Sequence, residues 1–321
     1  MDENALAWLL ESNNPAVRYR TLTELLDRPH TDATVIEERD SARSMPEIEE
    51  LFQRRSEDGY WYFIDSHTRQ EIKDPLHEKN IYYMSAVLQY CAEFGLDASD
   101  ERPTKAIHRF LTEIDDIKNE KLREPCKYTQ FIRSLVMMGY RDHPGVQRLI
   151  DHLQKSIRWD NGYLCDRMER KRKTRPVKSC VLGTQPALLA FSSLPELWDT
   201  DQYKRLIEYF LRRDLLYRTD RPDELVHRHI DRAQFPFGFG GLLGILFSLS
   251  KMGYGSRREL RAAWNVLEGK RLPNGRYIVD TKSPYATDPR NRLPFLGKRH
   301  GESKWVTFYA LVARKDAGLR P

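Results

Sequence analysis

The sequence predicts an all-α protein, an α/α toroid of helical hairpins with an inner and an outer helix layer. Three observations predict it. Apolar residues recur at three- and four-residue steps along most of the chain, and strand signals are weak throughout. Helices apolar nearly all round alternate with helices that carry one apolar stripe, the pattern of an inside and an outside layer. A Gly-containing turn followed by an aromatic or large apolar residue occurs three times, as Asp58-Gly59-Tyr60-Trp61, Asp160-Asn161-Gly162-Tyr163-Leu164 and Pro273-Asn274-Gly275-Arg276-Tyr277. Its copies stand about two fifty-residue units apart, which is the sequence mark of a repeat architecture.

The elements follow in order. Residues 4–10 and 17–26 form a helical hairpin around Asn13-Asn14-Pro15, a cap with proline near the first helical position. Two short helices cover 35–43 and 46–53. Inner helices are expected at about 80–94, 126–139, 180–193, 237–252 and 303–315, and outer helices at about 103–118, 144–157, 201–213 and 257–269. Breaks at Gly95, Gly139, Leu194-Pro195 and Gly253 end four inner helices, as helix-terminating residues do. Residues 1–55 then pack on the ring as added helices, 56–321 supply the repeats, and the whole is one domain. Three long joins, 167–178, 214–236 and 278–302, each lead into the start of an inner helix and so reach one rim. Long structured joins in a compact domain are more often functional than short ones.

Composition narrows the function classes. The 321 residues are 40% hydrophobic and 31% charged, with a net charge of +6. This describes a soluble globular chain with no spanning segment. The N-terminus carries no positive stretch before an apolar run, so a cytoplasmic location is expected. Four cysteines in a chain of this length are core thiols, metal ligands or reactive thiols rather than a disulfide framework. Seven Lys/Arg between Arg167 and Lys178 exceed the net charge alone, which argues for one basic patch. The run lacks a recognised nucleic-acid-binding fold, so nucleic acid is not the expected partner. No Gly-rich phosphate loop, HExxH or GxSxG motif is present.

The turns EDGYW, WDNGYL and LPNGRY resemble the repeat of the terpenoid cyclase and protein prenyltransferase α/α-toroid superfamily, closest to its small single-toroid members, over about Leu51 to the end. The resemblance implies an isoprenoid ligand in the ring cavity, prenyl diphosphate above all, and a transferase or cyclase activity. It departs from that pattern in two ways. The string nearest to the cyclases' Asp-rich acid motif, Glu113-Ile114-Asp115-Asp116, falls at the end of an outer helix, where a solvated helix end is the better reading. The second helical domain of those cyclases has no room here. The prenyltransferases carry zinc on Asp, Cys and His and need a partner subunit.

Three candidate sites follow. Cys126 and Cys180 open successive inner helices, Cys165 lies in the join before the second, and His229, with His227 an equal claimant, precedes the next. Soft sulfur and nitrogen donors on one rim suit tetrahedral zinc. The competing reading is buried thiols, the usual fate of free cysteine. The second site is an anion site. Arg167, Lys171, Arg172, Arg232 and Lys304 converge on the rim with inner-helix N-termini, against the alternative of a solvated charged loop. The third is an aromatic wall including Tyr82, Tyr128, Phe237 and Trp305, suited to an isoprenoid chain or a carbocation, or else simply core. No general acid or base stands out. The chain is thus expected to be either an isoprenoid-type enzyme with an apolar anionic ligand or a non-catalytic scaffold that binds a protein partner.

Overall fold

The computed structural model describes residues 3–116, 125–164, 171, 176–212, 214–237, 241–280, 291, 293 and 298–319, without the side chains of Asp115, Asp116 and Cys126. Among these the regular structure is helical, and extended pairing is limited to isolated bridges.

Helix α1 (Glu3–Leu9) leads to α2 (Pro15–Arg20), which continues as a π-helical turn over Thr21–Leu25. The Asn14 side chain accepts from the Val17 amide at 3.0 Å and Pro15 takes the first turn, so one of the orphan donors of the helix start is satisfied. Asp32 caps α3 (Ala33–Arg43) in the same manner, and α4 (Pro46–Gln53) follows behind Met45.

The body alternates two kinds of helix. Inner helices are α5 (Glu78–Glu93), then α7 (Pro125–Tyr128) with a 3₁₀ turn (Thr129–Phe131) and α8 (Ile132–Met137), then α10 (Val181–Phe191), α12 (Leu242–Lys251) and α14 (Lys304–Asp316). Outer helices are α6 (Glu101–Asp116), α9 (Pro144–Lys155), α11 (Asp201–Leu211) and α13 (Arg261–Glu268). Nearly every residue of α10 and α12 is buried, whereas α9 buries the stripe Val146, Leu149, Ile150 and Leu153. Each inner helix packs on the next, α5 on α8, α7 on α10, α10 on α12 and α12 on α14, while α6 packs on α9. One apolar core runs through these elements from Ala5 to Ala317, and a small satellite of Tyr19, Leu22 and Val35 sits between α2 and α3. Among the described residues no helix is long and apolar enough to cross a membrane.

The three sequence turns are one structural motif, in a register that differs from the glycine alignment. Ser56, Arg158 and Leu272 donate their amides to the carbonyls of Tyr60, Gly162 and Arg276, at 2.9, 2.9 and 2.8 Å. The left-handed residue inside each loop is therefore Gly59, Asn161 and Gly275, with φ of 82°, 68° and 77°. Asparagine tolerates that conformation where other side chains strain. Gly162 serves another purpose: a Cβ there would lie 2.5 Å from Tyr209 and 2.7 Å from Ser179. The aromatic that follows, Trp61, Tyr163 or Tyr277, turns inward and bonds back to the preceding helix, through Leu51 O, Leu153 O and the Glu268 carboxylate. The second and third copies also hang their aromatic's amide on a threonine in the first turn of the next inner helix, Thr184 or Thr307.

Candidate functional site

The centre is packed. Glu93, the last residue of α5 and fully buried, accepts hydrogen bonds from Arg20 of α2, from Arg133 Nη1 of α8 at 2.9 Å and from the Tyr309 hydroxyl of α14. Arg133 Nη2 also donates to Tyr309 Oη at 2.9 Å, and Arg20 reaches Glu24 as well. Burial opposes charge on Arg133, yet Tyr309 and Glu93 beside it raise its pKa further. Burial is also the main reason the Tyr309 phenol titrates well above its ordinary value. Aromatic rings close over this knot. Phe235 stacks on Trp305 at 4.8 Å and on Tyr309 at 5.3 Å, and Phe237 meets Tyr309 edge-on at 4.6 Å. Side-chain amides pin the same segment, Gln89 to Phe237 O at 2.7 Å and Gln185 to Gly241 O at 3.0 Å.

Among the described residues a void of about 20 Å³ lies at the centre, bordered by Gln89, Gln130, Arg133, Ser134 and Phe237. Of the predicted cavity wall, Phe237, Trp305 and Tyr128 are buried packing residues, and Tyr82 is half-buried. Phe237 and Trp305 instead pack against Phe235 and Tyr309.

A larger opening of about 190 Å³ lies at the start of α10, between that helix and the segment after α11. Lys178, Ser179 and Cys180 form one wall, Tyr209 the floor beside them, and Arg218, Asp220 and His227 the other wall. The first wall is fixed from the second turn motif: Asp160 accepts from the Ser179 amide at 2.7 Å and its hydroxyl at 2.5 Å, and the Cys180 amide donates to Tyr163 O at 2.9 Å. The second wall begins with two consecutive left-handed residues, Asp214 and Leu215, φ 43° and 65°. A short antiparallel turn follows, bridged at Tyr217 and Leu225, with the Arg218 amide on Glu224 O at 2.9 Å.

The electrostatics of this cleft favour an anion. Asp220 stands 3.5 Å from Arg218. Its carboxyl titrates below the usual range, mainly through its own backbone amide and then through Arg218 and Lys178, so it stays ionised. Among the described lining residues Lys178 and Arg218 outweigh it by one charge. Burial first, then the neighbouring His229, Arg228 and Arg232, lower the pKa of His227, which is neutral at pH 7. The His229 amide donates to His227 Nδ1 at 3.2 Å, which leaves the ring proton on Nε2 as a donor.

The predicted site residues are scattered relative to this cleft. Cys180 is in it, and of the two histidine claimants His227 lines it while His229 does not. Arg228 occupies both nitrogens of His229, its Nε donating to Nε2 and its carbonyl facing Nδ1, each at 3.1 Å. Cys165, Arg167 and Arg172 lie outside the described residues, as does the side chain of Cys126. Among the described residues no three His, Cys, Asp or Glu side chains gather as a metal set. The His227 tautomer is also wrong for metal through Nε2, because Nδ1 accepts a bond where a ligating histidine would donate one. Cys180 and His227 thus do not by themselves fit zinc. Lys171 is exposed and Arg232 half-buried, and neither lines the cleft. Lys304 is engaged elsewhere: its ammonium binds Glu11 at 3.0 Å and Asn13 at 2.7 Å, above the Trp8 ring. Sequence reasoning did not single out Arg218, Asp220 or Tyr209. Only the length of the 214–236 join pointed to that wall.

No family model matches this chain, and no curated protein matches it in sequence. Among solved structures, one named as a polysaccharide lyase aligns with 98% of this chain and 96% of its own, at a TM-score of 0.54 and 10% identity. At that identity the likeness is one of fold.

Proposed function

We propose that this chain is an α/α-toroid protein of the broad class that includes the terpenoid cyclases, and that it binds an acidic saccharide in the cleft at the start of α10. The observation that carries the reading is the donor set of that cleft. Lys178, Arg218 and neutral His227, with its ring proton on Nε2, line one opening together with the hydroxyls of Ser179, Thr219 and Tyr209, the Asp220 carboxylate, and the less polar Cys180, Val181 and Val226. Guanidinium and ammonium donors suit a uronate carboxylate or a sulfate, and the polar open wall suits a hydroxylated ring. The neighbour named as a polysaccharide lyase favours the same ligand class. An isoprenoid diphosphate would meet the same cations with its headgroup, but its chain would have to part the Phe235–Trp305–Tyr309 stack.

The test is a titration of the purified protein with an oligouronate, a neutral oligosaccharide of the same length and farnesyl diphosphate. The oligouronate is expected to bind best, and Arg218→Ala to weaken it about tenfold or more, the scale of one charge-assisted hydrogen bond. Tighter binding of farnesyl diphosphate would return the site to the isoprenoid class. Binding of none would leave the second reading, a non-catalytic scaffold for a protein partner, which the packed centre favours.

A further inference from the structure

Trp159 is the most conspicuous side chain that the fold leaves unused. It is 59% exposed, against a core in which the other large aromatics are buried or half-buried. Its backbone, by contrast, is held from all sides. The Arg158 amide donates to Gly162 O at 2.9 Å and the Asn161 amide to Arg158 O at 3.0 Å. From α11, Arg205 donates to Arg158 O and, at 3.1 Å, to the Asn161 side chain, while Arg212 donates to Asp160 O. The indole is therefore presented on a rigid turn.

The fold does not require an aromatic at this place. In the register set by the loop bonds, Trp159 corresponds to Glu57 in the first turn and Pro273 in the third, both exposed. The same turn closes with a charged residue or a proline there, so the tryptophan answers to something outside the chain. Its surroundings indicate what. The next residue, Asp160, holds Ser179 in the wall of the cleft, and Arg158 donates to Val177 O, one residue before Lys178. The turn that carries the exposed ring is thus tied on both sides of Trp159 to the segment that forms the cleft wall, and guanidinium groups hold it.

Resting on the acidic-saccharide reading of the cleft, we infer that Trp159 is a second subsite, a flat platform on which a sugar ring of the same polyanionic chain stacks while a neighbouring acidic unit occupies the cleft. An aromatic face suits the C–H face of a pyranose, and an exposed indole on a fixed turn loses little conformational freedom when covered.

The experiment compares Trp159→Ala and Trp159→Phe with the unaltered protein and with Arg218→Ala, using uronate oligomers from the dimer to the hexamer, by calorimetry and by tryptophan fluorescence. Trp159→Ala is expected to weaken the hexamer about five- to tenfold, the scale of an aromatic stacking contact. It should leave the dimer unchanged, and Trp159→Phe should keep most of the affinity. Hexamer addition should quench or shift emission in the unaltered protein and not in Trp159→Phe. Unchanged hexamer affinity in Trp159→Ala, with Arg218→Ala impaired, overturns the platform and leaves the cleft reading intact. Loss on Trp159→Ala with Arg218→Ala unaffected overturns the cleft reading and, with it, a shared ligand. Binding of none of the oligomers overturns both.

Discussion

Replacing Glu93 by Gln tests the claim that the centre is held by a charge knot rather than opened for a ligand. The change keeps shape and removes one negative charge from a fully buried position where three donors converge. At the 2.9 Å separation from Arg133, and an effective dielectric near 20, the direct attraction is roughly 6 kcal/mol. Desolvation of the pair offsets much of that, so the intact pair contributes little net. Breaking it by removing one partner is different, because a guanidinium is left buried without its counter-charge, at about 3–5 kcal/mol. Arg20 retains Glu24, but Arg133 loses the carboxylate that balances it and then faces the like charge of Arg20. Against a total stability of about 5–15 kcal/mol, such a loss is large. Urea unfolding followed by circular dichroism reads it directly, with Tyr309→Phe as a milder control at about 1–3 kcal/mol. Arg133→Met in the Glu93→Gln background should cost far less than the two changes summed. A Glu93→Gln protein within about 1 kcal/mol of the original, or strict additivity in the cycle, would refute the knot.

Two further outcomes test the turn register and the N-terminal docking. Gly162→Ala should destabilise by about 1–3 kcal/mol through collision with Tyr209 and Ser179, whereas Asn161→Gly should be tolerated apart from its lost bond to Arg205; the reverse order in thermal melts would restore the glycine alignment. Burial alone would raise the Asp97 carboxyl, but the Ser99 hydroxyl and amide and then Arg43 and Arg39 overcome it and pull it down to about 2 from 3.8. Its stabilisation is present above the unfolded value and lost as pH falls from about 4 to about 2, so the gap in melting temperature between the unaltered protein and Asp97→Asn should shrink over that window. A gap that stays constant with pH would sink that assignment.

Much of the helix map was legible because it depends on local rules. Gly95, Gly139 and Gly253 take φ of 76°, 85° and 85°, and the next residues, Leu96, Tyr140 and Tyr254, bond back five residues to close each helix. The boundaries that slipped lie where tertiary packing overrides periodicity. The inner helix expected over 126–139 is interrupted by a 3₁₀ turn at Thr129–Phe131, and the one expected from 237 starts at Leu242. The candidate sites were less legible, for a physical reason. Whether Lys304 is free for an anion depends on Glu11 and Asn13, nearly the whole chain away. Choosing His227 over His229 depends on which ring Arg228 clasps. Aromatic spacing on inner helices is the same whether rings line a cavity or stack, and only the geometry of Phe235 on Trp305 separates the two.

The packed centre and the open cleft at α10 are consequences of one helical arrangement. Inner helices that carry Glu93, Arg133 and Tyr309 at one level bring a carboxylate, a guanidinium and a phenol together in a space from which water is excluded. There each group is costly unless it is bonded, and the three satisfy one another along with Arg20. A ligand entering that level would have to replace every one of these bonds at once. The cleft at α10 is open among the described residues. Arg218 and Asp220 meet at a distance of 3.5 Å with half of the carboxylate exposed, and His227, which lines the cleft, accepts at Nδ1 and so carries its proton on Nε2. On the proposed reading, recognition is therefore expected at the open cleft and not where the buried helices pair Glu93, Arg133 and Tyr309 with one another.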